Sequence, residues 1–235
     1  LRSAARYLQS VRPAEMAAQA SVSTRYLPSN ILGGDSFDFY WLDDDHMVVY
    51  LLDVSGHGVE SALIAVSVHN MLRSASFAKE TMLEPDRVLA ALNQQFGMDQ
   101  HDDNYFTIFY GVYQRSSATL RYANAGHPPA LLFSGAQVSE LSSQSCPVGT
   151  FDDTSFATAT VPLPPGSQML LYSDGVFELP LDDGGQWSMR DFLDMCTRLG
   201  GSPDWTLDDV LHNVLGHSAS GSFDDDCCLV RLSFD

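Results

Sequence analysis

The 235-residue chain reads as an α+β fold, with largely antiparallel β-sheets flanked by helices. Three observations predict it. Strand-like and helix-like segments come in blocks instead of alternating strictly. Short apolar runs are separated by Gly, Pro, Asn and Asp, the grammar of antiparallel meanders. No low-complexity linker divides the chain, so one domain is expected over residues 21–235, after a helical connector over residues 1–20.

The elements follow in order. Ala4, Ala5, Leu8 and Val11 fall at near-helical spacing before Pro13, like the end of a helix entering from upstream. A first strand is expected from Ser21 to Leu27, ended by Pro28. Phe37, Phe39 and Trp41 alternate with other residues as a strand does, and Asp43, Asp44 and Asp45 form a solvated hairpin turn. Met47 to Leu52 is an unbroken apolar run, too short for a buried helix, and reads as a strand covered on both faces. From Val59 to Phe77 the pattern is helical and apolar on several sides. Glu84-Pro85 opens another helix, with Val88, Leu89, Leu92 and Phe96 on one stripe. Short strands follow over Tyr105 to Tyr113, Thr119 to Tyr122, Ala130 to Phe133 and Gln137 to Leu141. Asn124 to Pro129 marks a tight turn, and Ser142 to Thr160 reads as loop before a short strand. Gln168 to Tyr172 is a further strand. Helices are expected over Met189 to Leu199 and Thr206 to His217, and a closing strand from Cys227 to Leu232.

Composition narrows the function. A formal charge of −18, from 30 acids against 12 bases, repels a polyanion and argues against nucleic acid as partner. No run is long enough to span a membrane, and the first residues lack the apolar core of a signal peptide. Cys146, Cys196, Cys227 and Cys228 show no CxxC spacing and read as reduced core residues of a cytoplasmic protein, not a zinc site or disulfide framework.

The chemistry gathers at strand ends. Asp53 closes the Met47–Leu52 run and is followed by Ser55-Gly56-His57-Gly58. A carboxylate there is costly to desolvate without a positive partner. It is either a metal ligand or a residue capping the next helix or facing solvent. Asp35 follows Gly33-Gly34, Asp174 ends Gln168–Tyr172 and precedes Gly175, and Asp225 stands just before the closing strand. Should these four carboxylates converge, they would repel unless a hard divalent cation joined them. Oxygen-only ligands favour Mg²⁺ or Mn²⁺ over zinc, and such ions activate water for attack on a phosphoryl group. His101-Asp102-Asp103-Asn104 is either a metal loop or a solvated connection.

Five motifs occur in one order: Gly33-Gly34-Asp35-Ser36-Phe37-Asp38, Asp53-Val54-Ser55-Gly56-His57-Gly58, Asn124-Ala125-Gly126-His127-Pro128, Ser173-Asp174-Gly175-Val176-Phe177-Glu178, and Asp225-Asp226 before a closing strand. Together they resemble the PPM (PP2C-like) serine/threonine phosphatases of the bacterial stress-response and sporulation branch, from about Tyr26 to Leu232. The resemblance implies a PP2C-like αββα sandwich, two antiparallel β-sheets flanked by helices, with a two-ion Mn²⁺ or Mg²⁺ site. It implies that Asp53 bridges the ions, with the Val54 carbonyl as a further ligand. Asp35 would serve one ion, and Asp174 and Asp225 the other. These four aspartates are the expected catalytic and metal-binding residues. Asp38 matches the second acid of the GGDxxD pattern and is read as an outer-shell or structural residue. His57 reads as a turn residue and His127 as structural. Arg25 is the nearby candidate for a phosphate clamp. Cys228 stands where the branch usually has Thr and is expected to point inward.

The resemblance further implies hydrolysis of phosphoserine or phosphothreonine by activated water, without a phosphoenzyme intermediate. The expected substrate is an anti-sigma-factor antagonist or similar phosphorylated regulator. An upstream sensory or receiver domain and a homodimer paired through the connector complete the expectation. The competing readings are a catalytically silent phosphoprotein-binding module and a calcium-binding structural domain. The second lacks any EF-hand-like loop.

Overall fold

Antiparallel pairing carries the architecture. The computed structural model describes residues 16–18, 20–28, 33–74, 76–97, 104–135, 137–143, 145–181, 185–200, 204–218 and 221–234. In chain order the strands are β1 (Met16–Ala18), β2 (Ala20–Leu27), β3 (Ser36–Trp41), β4 (His46–Val54), β5 (Phe106–Gln114), β6 (Thr119–Ala125), β7 (Ala130–Ser134), β8 (Gln137–Leu141), β9 (Ala159–Pro162), β10 (Gln168–Tyr172), β11 (Leu179–Pro180), β12 (Gln186–Trp187) and β13 (Cys227–Phe234). They form a five-stranded sheet, a six-stranded sheet and the small β11-β12 ribbon.

The first compact unit draws on residues 31–129 and 142–163. Its sheet has the order β3-β4-β5-β6-β9, so β3 is an edge strand. Helices Val59–Arg73, Lys79–Met82 and Pro85–Gln95 belong to this unit. Val48, Tyr50, Leu52 and Val54 of β4 pack with Ile64, Val68, Leu72, Val88, Leu89 and Leu92 of the helices. Met47, Val49 and Leu51 point to the other face and are equally buried, which is why β4 reads as an unbroken apolar run. Each such buried side chain contributes about 1.5–3 kcal/mol. The β3–β4 turn is fastened by Asp43, whose Oδ1 accepts from the amides of Asp45 and His46, both at 2.7 Å. Lys79 Nζ reaches Asp43 Oδ2 at 2.8 Å. Pro85 occupies the start of its helix, where its missing N–H costs nothing. The first helix stops at Arg73, short of the expected Phe77, because Ser74 turns extended.

The second unit draws on residues 15–30, 130–141 and 164–235. Its sheet has the order β1-β2-β13-β10-β7-β8. Helices Met189–Leu199 and Leu207–Leu215 each begin with a reciprocal capping box, Ser188 with Asp191 and Thr206 with Asp209. Their apolar faces join Phe133, Tyr172, Trp187, Trp205 and Leu229 in a separate core.

Three expectations change. The sheet begins inside the segment assigned to the connector, since Met16–Ala18 and Ala20 lie in β1 and β2. The rest of that helical reading, residues 1–15, falls outside the described residues, as do residues 101–103 of the polar loop. The chain forms two compact units where one was expected, and because their segments alternate along the sequence no linker marks them. Cys146 is exposed, whereas Cys196, Cys227 and Cys228 are buried as expected.

Candidate functional site

In the first unit the site is built at the end of β4. Asp53 lies directly opposite Thr107 of β5. On the other side Ser36 faces Leu52, and carrying that register one residue further sets Asp35 opposite Asp53. Facing residues of an antiparallel pair share a side, with Cβ atoms about 4.5–5.5 Å apart. Leu52 and Val54 take the helix side, so Asp53 and its two neighbours occupy the other. Asp35 is buried and Asp53 partly exposed. Gly34 explains how the Gly-Gly turn comes so close. A Cβ there would stand 2.7 Å from the Val54 carbonyl oxygen, so only glycine lets the two backbones meet. Asp35 therefore arrives beside the peptide expected to supply the Val54 ligand.

The following loop is tied back by two hydrogen bonds. Ser55 N donates to Tyr105 O at 2.9 Å, and Tyr105 N donates to Ser55 Oγ at 3.1 Å. Gly56 and Gly58 have φ of 81° and 96°, the left-handed region that favours glycine. His57 between them is exposed, as a turn residue would be. Across the sheet, Thr107 Oγ1 lies 2.8 Å from His127 Nδ1. Asn124 closes the His127 turn, accepting from its amide at 2.8 Å and donating to its carbonyl at 2.9 Å. His127 thus has a structural place, and it braces the residue next to Asp53. That link through Thr107 has no sequence signature, because it depends on strand register.

Asp38 is not part of this face. It lies opposite Tyr50 on the helix side, fully buried, 2.6 Å from Arg73 Nε. Arg25, the expected phosphate clamp, is engaged elsewhere, with Nε and Nη2 at 2.8 and 2.9 Å from the two carboxylate oxygens of Asp208.

In the second unit the ends of β10 and β13 are sewn together by Ser173. Its Oγ donates to Asp226 O at 3.1 Å and accepts from Cys228 N at 2.9 Å. Cys228 is fully buried, as expected. Asp174 then opens a single 3₁₀ turn, Asp174–Val176. A Cβ on Gly175 would overlap the Asp226 carbonyl, so glycine is required there. Burial pushes the Asp174 carboxyl up to about 6, and the like charges of Glu178 and Asp225 add to the rise. Asp225 is exposed, while Asp226 is buried with Tyr26 OH 3.4 Å from its Oδ2. Glu178 was missed as a member of this group. Its spacing of four from Asp174, one helical turn, is the signal that could have found it.

The carboxylates thus come as two sets: Asp35 with Asp53 and the Val54 carbonyl, and Asp174 with Asp225 and Glu178. Among the described residues no three His, Cys, Asp or Glu side chains form a closed metal cluster. The donors are all oxygen, which suits Mg²⁺ or Mn²⁺. Magnesium keeps several waters and asks for one or two carboxylates, so sets of this size fit it. A cation would also relieve the crowding at Asp174.

Comparison with known proteins identifies the family and the fold. The family model described as Stage II sporulation protein E (SpoIIE) matches residues 43–235. The chain is 32% identical over 165 residues to phosphoserine phosphatase RsbP of Bacillus subtilis, covering 68% of this chain and 40% of that protein. It spans less than half the length of the curated relatives it matches. Among solved structures, the RsbU and RsbW domains of Rv1364c from Mycobacterium tuberculosis superpose with a TM-score of 0.72 at 26% identity, over 94% of this chain and 61% of that one. The SiaA-PP2C domain of Pseudomonas aeruginosa gives a TM-score of 0.83 at 20% identity, over 100% and 95%, and shares the α+β PP2C fold.

Proposed function

The chain belongs to the SpoIIE family of PP2C-type phosphatases, and on that footing we propose that it is a metal-dependent protein serine/threonine phosphatase acting on a small phosphorylated regulator. An anti-sigma-factor antagonist is the substrate class favoured. The observation that supports the reading is the placement of Asp174 and Asp225 at the ends of the paired strands β10 and β13, which Ser173 ties together.

In this proposal the metal is Mg²⁺ or Mn²⁺, two ions in all, with Asp35, Asp53 and the Val54 carbonyl as ligands in the first unit and Asp174 and Asp225 as ligands in the second. When bound, they supply an acidified water and offset charge on the phosphoryl oxygens. The chain's own part is placement. The Gly34 backbone against Val54 sets Asp35 at the end of β4. Ser173 fixes the ends of β10 and β13, from which Asp174 and Asp225 project. Gly56 and Gly58, both in the left-handed region, turn the chain after Asp53.

The proposal keeps three further family features: an upstream sensory or receiver domain, pairing of two chains through the connector, and action in the cytoplasm. Among the described residues no helix is long and apolar enough to cross a membrane. Truncation before Pro13 tests the pairing, which an unchanged oligomeric state would refute.

The activity is tested by hydrolysis of p-nitrophenyl phosphate with Mn²⁺, with Mg²⁺ and with EDTA, alongside Asp53→Asn. Turnover should require metal and fall by about two orders of magnitude or more in the variant. A wild-type protein that binds a phosphorylated partner, yet turns over nothing at millimolar metal, would instead be a silent binding module.

A further inference from the structure

The GGDxxD stretch contains an aspartate that the proposed metal chemistry leaves unused. Asp38 is fully buried on the helix side of β3 and lies 2.6 Å from Arg73 Nε, in the last turn of helix Val59–Arg73. The pair sits in a small polar nest. Phe39 N donates to Asp38 Oδ1 at 2.8 Å. The Arg73 guanidinium lies over the Tyr40 ring, 4.5 Å from its centre, and Tyr40 OH donates to Leu72 O at 2.7 Å. His69 Nδ1 is 2.9 Å from Tyr50 OH and 4.0 Å from Asp38 Oδ2. Burial, then the charge of Arg73, lowers the His69 imidazole from its ordinary range. One helix end thus grips β3 and β4 through Asp38, Tyr40 and Tyr50.

Asp38 is fully buried but the Arg73 side chain is 45% exposed, and an ion pair open to solvent on one side is a poor device for stability alone. It is a good device for alignment. Among the described residues β3 is an edge strand, paired with β4. A slip of one residue would turn every side chain of β3 to the opposite face. Asp35 stands one residue before β3, and continuing the strand's alternation puts Asp38 and Asp35, an odd number of residues apart, on opposite faces. With Asp38 on the helix side, Asp35 stays on the side of Asp53. A slipped strand would leave Arg73 without its carboxylate and turn Asp35 away.

We propose that the Asp38–Arg73 ion pair is a register pin, a positioning pair that holds β3 in the one alignment presenting Asp35 beside Asp53. The use made of Asp35 rests on the phosphatase reading; the alignment does not.

The test compares wild type with Arg73→Ala, Arg73→Lys and the near-isosteric Asp38→Asn in the full chain. Three readouts are taken: amide exchange across residues 33–41, Mn²⁺ affinity by calorimetry, and p-nitrophenyl phosphate turnover. In Arg73→Ala and Asp38→Asn, exchange in β3 should rise at least about tenfold more than in helix Pro85–Gln95, and Mn²⁺ affinity should fall about tenfold. Arg73→Lys, which keeps the charge, should recover most of both. Wild-type exchange in β3, or loosening spread evenly over the unit, overturns the pin. If the wild type neither binds Mn²⁺ nor hydrolyses phosphate, the phosphatase reading fails, and exchange in β3 alone decides the pin.

Discussion

Gly175 and Gly97 show how differently one residue type is used. At Gly97 an added Cβ would meet its nearest neighbour, Asp152 Oδ1, at an ordinary 3.6 Å, while at Gly175 it would overlap the Asp226 backbone. Gly175→Ala should therefore destabilise by about 1–3 kcal/mol or more, as overpacking does. Gly97→Ala should stay within about 0.5 kcal/mol. Urea denaturation of the two variants checks this, and equal midpoints would refute it. At this scale the sequence was partly readable. A glycine next to an aspartate at a strand end announces close approach, and Gly34 and Gly175 both obey. Glu178 could have been read from its spacing to Asp174, whereas Thr107 was not readable as a neighbour of the site, because the register of a strand puts it there.

The β3–β4 hairpin shows what an element holds. Its turn depends on Asp43, whose carboxyl is kept below the usual range first by the hydrogen bond from Lys79 and then by the Asp45 and His46 amides. A carboxyl depressed in the folded state adds stability above its unfolded value of 3.8, and that stability is lost as pH falls through the folded value. Asp43→Asn should therefore melt below wild type at neutral pH, and the gap should narrow as the pH falls below about 4. A gap that widens toward acid would overturn the assignment. The long elements were legible from periodicity, β4 and the Pro85–Gln95 helix most of all. Helix Lys79–Met82 and ribbon β11-β12 were not, since four-residue and two-residue elements carry no period. The overshoot to Phe77 has the same origin: the apolar pattern runs on after the backbone has left the helix.

For the whole molecule the controlling quantity is charge. With a net −18, self-repulsion opposes folding and salt should relieve it. Raising sodium chloride from about 10 to about 150 mM should lift the melting temperature by a few degrees, as the screening length falls to about 8 Å. A drop would mean that exposed pairs such as Arg25–Asp208 outweigh the repulsion, against their usual small worth. The α+β class and the antiparallel pairing were legible from the block order of segments. The division into two units was not, because it is written in contacts between distant segments.

One of those pairings reaches into the life of the chain before it is folded. Strand β13 lies between β2 and β10, and its Cys227 pairs with Leu27, two hundred residues earlier. During synthesis β2 leaves the ribosome long before its neighbour exists. Until β13 arrives, the six-stranded sheet can exist only as β1-β2 and β10-β7-β8, each with an open edge. Contacts of such long range make folding slow, and waiting edges recruit other chains. The nascent protein is therefore a natural client for chaperones, and a chain cut short before Cys227 should aggregate, however complete the rest of its sequence.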